Sequence, residues 1–177
     1  MRVAAPARPS PTRSEQIIVF RLCGQLFAVS SASVQEVRSK DSLSGASVEI
    51  NAPGLRKVRH AVRRGDRSLF IVNGALHFDL PASQGTLIFV LRKTRTALLV
   101  DGIEKMTSMT RLQALPQSFC HEERSWYRGL TALDHEVIPV VNPEGFLSPG
   151  ELALLDAAMP PLENLEGGHA EGAEFAP

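Results

Sequence analysis

Short runs of β-branched and aromatic residues, separated by polar or glycine-containing turns, dominate the chain between residues 16 and 141. Residues 16–23 and 26–29 are two such runs parted by Gly24-Gln25, which predicts a hairpin. Residues 69–72 and 75–80 flank Asn73-Gly74. Both of those residues tolerate the positive φ of a two-residue type I′ turn, so a second hairpin is predicted there. Residues 86–91 and 97–101 flank a polar turn at 92–95, and residues 127–133 and 136–141 flank Asp134-His135. One helix is expected, over residues 149–159. Ser148 is its N-cap, Pro149 its first residue and Glu151 the far side of a capping box. Leu152, Leu155 and Met159 then make one apolar stripe that predicts packing onto the β structure, and Pro160-Pro161 stop the helix. A short helical turn is expected around residues 112–115.

Part of this pattern occurs twice. Phe20 corresponds to Phe89, Leu22 to Leu91, Ala28 to Ala97 and Val34 to Ile103, at one constant offset and without a gap. A repeat of this kind predicts two similar β units in one domain. Each half offers an opening hairpin, an irregular middle and a closing hairpin. About five short strands per half suffice to close a small barrel and remove most exposed edges. The predicted fold class is therefore all-β: two packed five-stranded barrels sealed by a C-terminal helix.

Composition narrows the picture. The chain has 177 residues, 44% hydrophobic and 21% charged, as in an ordinary globular protein. Its formal net charge of zero gives no support for general affinity toward nucleic acid or anionic membrane. No apolar run approaches the roughly 20 residues of a membrane span. Pro6, Pro9 and Pro11 stand where a signal peptide needs an apolar run, so secretion is not expected. Residues 1–14 and the glutamate- and glycine-containing residues 160–177 read as disordered tails around a domain at 15–159. Cys23 and Cys120 leave one disulfide or two thiols open, and two thiols fit a reducing cytoplasm better.

Candidate chemistry is sparse. His60, His77, His121, His135 and His169 have no metal-ligand spacing, so no metal and no cofactor is expected. His77, between Leu76 and Phe78 in an expected strand, reads as exposed or hydrogen-bonded on one sheet face. Cys120-His121 is a poor nucleophile pair, because strand neighbours point apart. Asp79, Asp101 and Asp134 read as turn-capping carboxylates. No glycine-rich phosphate loop is present. The one charge cluster, Arg56, Lys57, Arg59, Arg63, Arg64 and Arg67, reads as a solvated flexible loop first, and second as a basic patch for an acidic partner. No aromatic residues interleave it, which argues against nucleic acid.

From residue 16 to 147 the chain resembles the CheW-like domain, the adaptor module of bacterial chemosensory arrays. The opening motif is Phe20-x-Leu22-x-Gly24-x-x-Phe27-Ala28-Val29 with Val34-x-Glu36-Val37. Asn73-Gly74 with Asp79-Leu80, the segment from Ala97 through Val100-Asp101 to Ile103, and Tyr127-Arg128-Gly129-Leu130 with Val137-Ile138-Pro139 follow in the family's order. The resemblance implies two SH3-like barrels around a shared core and a cytoplasmic scaffold without catalysis. It implies as partners a chemoreceptor cytoplasmic tip and the regulatory domain of a CheA-type histidine kinase, in membrane-associated arrays but without membrane insertion. Val34, Glu36, Asn73 and Gly74 match partner-facing positions. Asn73 stands where the family commonly has arginine, Ser30 replaces a common proline, and the approach to Asn73-Gly74 is arginine-rich. These departures fall in the first half and place the chain's distinctive features there. Two readings remain beside simple coupling: the same module adapted to another signalling partner, as in surface motility or gene regulation, and a small β-barrel enzyme, which the residues barely support.

Overall fold

The computed structural model describes residues 14–43, 45–81 and 83–161, so nearly all of both expected tails lies outside the described residues. Eleven strands and three α-helices follow one another along them. The strands are β1 (Glu15–Leu22), β2 (Gln25–Ser30), β3 (Val34–Ser39), β4 (Ala46–Glu49), β5 (Val58–Arg64), β6 (Arg67–Asn73), β7 (Leu87–Leu91), β8 (Thr96–Val100), β9 (Gly102–Met109), β10 (Tyr127–Leu133) and β11 (Glu136–Val141). The helices are α1 (Gly74–His77), α2 (Glu123–Trp126) and α3 (Pro149–Ala158). A five-stranded sheet has the order β10-β11-β2-β1-β9, and a six-stranded sheet the order β3-β7-β8-β6-β5-β4.

The repeat is real, but it does not place one barrel in each half of the sequence. β1 and β2 correspond to β7 and β8, and β3 corresponds to β9. The hairpin β1–β2 lies in the five-stranded sheet, while β3 crosses over and pairs with β7 in the other. Conversely, β7–β8 lies in the six-stranded sheet, while β9 crosses back to pair with β1. The equivalent alanines Ala28 and Ala97 hold the same place, each in a parallel pairing, with Val140 of β11 and Ile71 of β6. Each unit completes its sheet with the other's third strand. The expected self-contained halves are corrected accordingly.

Both sheets curl until distant strands meet. Lys105 on β9 pairs with Asp134 in the β10–β11 turn, although β9 and β10 are opposite edges. Gln113 and Leu130 exchange backbone hydrogen bonds of 2.7 and 2.9 Å across the same seam. In the six-stranded sheet, Glu36 on β3 meets Arg64 at the end of β5 at 2.8 Å, with three strands between them in sheet order. At the repeat offset Glu36 corresponds to Lys105, so the two seams are closed by equivalent positions of opposite charge.

Side-chain alternation separates three cores. Phe89 and Leu91 of β7 face the other sheet while Ile88 and Val90 face inward, and Ile18, Phe20 and Leu22 of β1 alternate likewise with Ile17 and Val19. Strands buried on both faces carry near-continuous apolar runs, as the sequence does here. At the centre, the equivalent rings of Phe20 and Phe89 meet edge to face, with centroids 5.4 Å apart. α3 caps this shared core through fully buried Leu155, with Leu152 and Met159 alongside, and its Ser148–Glu151 capping box forms as expected.

Several local expectations fail. The first hairpin turns at Cys23-Gly24, both with positive φ, one residue earlier than expected. Asn73-Gly74 is no hairpin turn: Asn73 has φ −71°, and its side chain accepts from Leu76 N to cap α1. Gly74 is required by close packing, since a Cβ there would lie 2.9 Å from both a Leu22 methyl and the Leu99 carbonyl oxygen. Residues 75–80 therefore form a helical turn and loop rather than a strand. Residues 112–115 form a backbone bridge instead of a helical turn, and the short helix is α2. The basic segment is no loop either, because most of it is the β5–β6 hairpin.

Candidate interaction surfaces

Val34 begins β3 as a buried residue, its carbonyl accepting from the Arg92 guanidinium. Two residues on, Glu36 is half-buried between Arg64 and Arg38, both within 3.1 Å. The Arg64 hydrogen bond, with Arg38 behind it, holds the Glu36 carboxyl below its ordinary range despite the partial desolvation. Asn73 and Gly74 lie at the far end of β6, which two strands separate from β3 in the sheet. The four candidate partner residues are thus not one contiguous cluster. Gly74 is buried, leaving Asn73 as the accessible member of its pair, with its Nδ2 donating to Ser83 O at 3.2 Å.

The basic cluster divides between two concavities. Arg56, Lys57 and Arg59 line a groove of about 610 Å³ together with Asn73 and Lys40. Its floor is apolar, formed by Leu43, Val62, Ile71, Ile88 and Leu99. Arg63 and Arg67 line a larger cleft of about 1160 Å³ between the β5–β6 turn, the β7–β8 turn and α3. Arg64 belongs to the seam instead. The sequence missed the apolar floor, although the signal was present: β6, β7 and β8 are apolar on both faces, and only one face is covered by the other sheet.

Behind the groove, Lys57 ties the sheet to α3. Its ammonium pairs with Glu151 at 2.8 Å and approaches His77 Nδ1 at 3.4 Å. Burial pushes the Glu151 carboxyl up, but hydrogen bonds from Lys57 and Ser148 outweigh it and hold the group below its ordinary value. His77, expected on an exposed or hydrogen-bonded sheet face, is instead 4% exposed on α1, ringed by Phe78, Trp126 and Phe146. Burial, reinforced by the Lys57 charge, pushes its pKa down to about 3. An ammonium can only donate, so Nδ1 is the acceptor and the proton sits on Nε2, which has no partner among the described residues.

Asp101 does cap a turn, but a remote one. Its Oδ2 accepts from Cys23 N at 2.6 Å and its Oδ1 from the Ser83 hydroxyl, fastening the β1–β2 turn of one sheet to the segment before β7 of the other. Cys23 and Cys120 are both free thiols. The Cys120 sulfur accepts weakly from Glu123 N at 3.5 Å, and neither Cys120 nor His121 lines the groove or the cleft. Among the described residues no group of three or more His, Cys, Asp or Glu side chains could hold a metal. No helix among them is long and apolar enough to cross a membrane.

Comparison with known proteins agrees with this architecture. The crystal structure of the scaffolding protein TtCheW from Thermoanaerobacter tengcongensis superposes with a TM-score of 0.62 at 12% sequence identity, over 77% of this chain and 94% of that one. At that identity the likeness shows the fold. Residues 16–150 match the CheW-like domain family, a span that takes in both sheets, β1 from its second residue, and the shared core apart from α3. The chain belongs to the CheW-like domain family.

Proposed function

We propose that this protein is a non-catalytic coupling adaptor, joining the cytoplasmic tip of a chemoreceptor to the regulatory domain of a CheA-type histidine kinase. The observation that carries this reading is the family match across the whole two-sheet body. An adaptor needs surfaces of different character on one rigid frame, and the shared core supplies the frame. Val34 and Glu36 on β3 offer one such surface, and the groove beside Asn73 another. Two departures of the sequence meet in that groove. Asn73 lacks the charge of the family's common arginine, but Arg56, Arg59 and Lys40 stand along the same groove against Asp41 as its one lining acid. Lys57 is paired with Glu151, and the other three leave the groove a positive excess. Apolar floor with basic rim suits a partner segment that is apolar on one side and acidic on the other.

The test is capture by the purified chain of a receptor cytoplasmic fragment and of the kinase regulatory domain. Paired Arg56→Glu and Arg59→Glu substitutions are expected to weaken capture of one partner about tenfold or more, as loss of complementary charge does. Glu36→Gln keeps the shape of β3 while removing its charge, and is expected to weaken capture at that surface; unchanged affinity would remove Glu36 from it. The altered charge pattern of the groove favours one second reading, the same module serving a different signalling partner. Capture of neither chemosensory protein would select it.

A further inference from the structure

The larger cleft is where the described chain ends. Pro160 and Pro161 form part of its wall, and the Arg63 guanidinium donates to the Pro160 carbonyl. Its apolar wall comes from Leu91, Leu147, Leu152 and Met159. Its charged groups are Arg63, Arg67, Lys93 and Arg95 against Asp66, Glu144 and Asp156. Arg95 is neutralised by a two-pronged pair with Asp156 at 2.8 and 2.5 Å. Of the remaining groups Arg63, Arg67 and Lys93 outnumber the exposed Asp66 and Glu144, so the cleft keeps a small positive excess.

The sequence that leaves Pro161 is complementary. Residues 162–166 read Leu-Glu-Asn-Leu-Glu, and residues 162–177 contain four glutamates, no lysine and no arginine. We propose that residues 162–166 dock back into this cleft, with Leu162 and Leu165 against its apolar wall and Glu163 and Glu166 toward Arg67 and Lys93. Being tethered at the cleft itself, the segment binds intramolecularly, at an effective concentration in about the millimolar range, so a weak interaction suffices. Gln35, between Val34 and Glu36, lines the same cleft. A docked segment thus stands beside the proposed partner surface on β3 and competes with whatever binds there. That consequence rests on the proposed function, whereas the docking does not.

Amide hydrogen exchange on the full chain, without any partner, tests the docking alone. The amides of residues 162–166 are expected to exchange about tenfold or more slowly than unstructured-peptide rates at low salt. Arg67→Glu with Lys93→Glu, both at exposed turn positions, should abolish that protection, and adding Glu163→Lys with Glu166→Lys should bring it back. In the unsubstituted chain, salt at about 1 M shrinks the Debye length to about 3 Å and should weaken the protection without any mutation. Unstructured-peptide rates for residues 162–166 at low salt would overturn the proposal. So would protection that neither the charge reversal nor salt changes. Because no receptor or kinase is present, this result can fail while the adaptor reading stands, and the converse also holds.

Discussion

The five-stranded and six-stranded sheets are built from equivalent strands, and they differ chiefly in one connection. In the six-stranded sheet, the chain between β3 and β5 forms β4, which pairs with β5 over four residues. In the five-stranded sheet, the corresponding chain between β9 and β10 forms no strand and joins β10 through the Gln113–Leu130 bridge. Around this difference the two interiors part ways. Ile17, Val19, Ala28, Ile138 and Val140 form a closed core in the smaller sheet. In the larger one, Leu43, Ile71 and Leu99 remain half-buried beside their core and floor the groove. The basic segment, Asn73, the groove and much of the cleft belong to the six-stranded sheet. One sheet closes over its core, and the other keeps an open groove beside its core.

If the two copies share one core, neither can unfold alone. Phe20→Ala and Phe89→Ala remove equivalent rings at the centre and should each destabilise the protein by about 3–5 kcal/mol. Thermal unfolding should stay a single transition in both variants. Two separate transitions would mean that the sheets are independent units.

A smaller effect comes from His77, which is neutral in the folded protein and has a partner-free Nε2. Its folded pKa is depressed from 6.5 to about 3, so between those values the unfolded chain binds the extra proton. Stability is therefore fully present above about pH 6.5 and falls as pH drops toward 3, by at most about 1.4 kcal/mol per pH unit. Denaturant titrations at pH 7, 6, 5 and 4 should show that slope in the parent chain and a shallower one in His77→Phe. Equal slopes would remove His77 as its source.

The least effect is expected at the seams. Glu36→Gln breaks a half-buried pair with two arginines and should lose about 0.5–1 kcal/mol. Asp134→Asn breaks a pair whose carboxylate is 79% exposed and should leave the melting temperature unchanged within error. Equal losses at the two seams would contradict the difference in burial between them.

Much of this was legible in the residues. The repeat, the 127–141 hairpin and α3 with its capping box all follow from local patterns, which is why they survive. Asn73-Gly74 misled because Asn is as good a helix N-cap as a turn residue, and only the packing of Leu22 and the Leu99 carbonyl against Gly74 decides between them. The exchange of β3 and β9 between sheets is a long-range pairing that no local periodicity encodes. The basic strands were hidden by a register shift between Val58 and His60, which breaks the alternation a strand would otherwise show. The pairing of Glu36 with Arg64 joins residues that only curvature of the sheet brings together.

The central claim is that one rigid frame presents two surfaces that can be occupied at once. It is tested most directly by mixing the purified chain with a receptor cytoplasmic fragment and the kinase regulatory domain and measuring the mass of the complexes by size-exclusion chromatography with light scattering. The account predicts a ternary species containing all three, forming only when this chain is present. Binary complexes that exclude each other, or no complex with either partner, would contradict it.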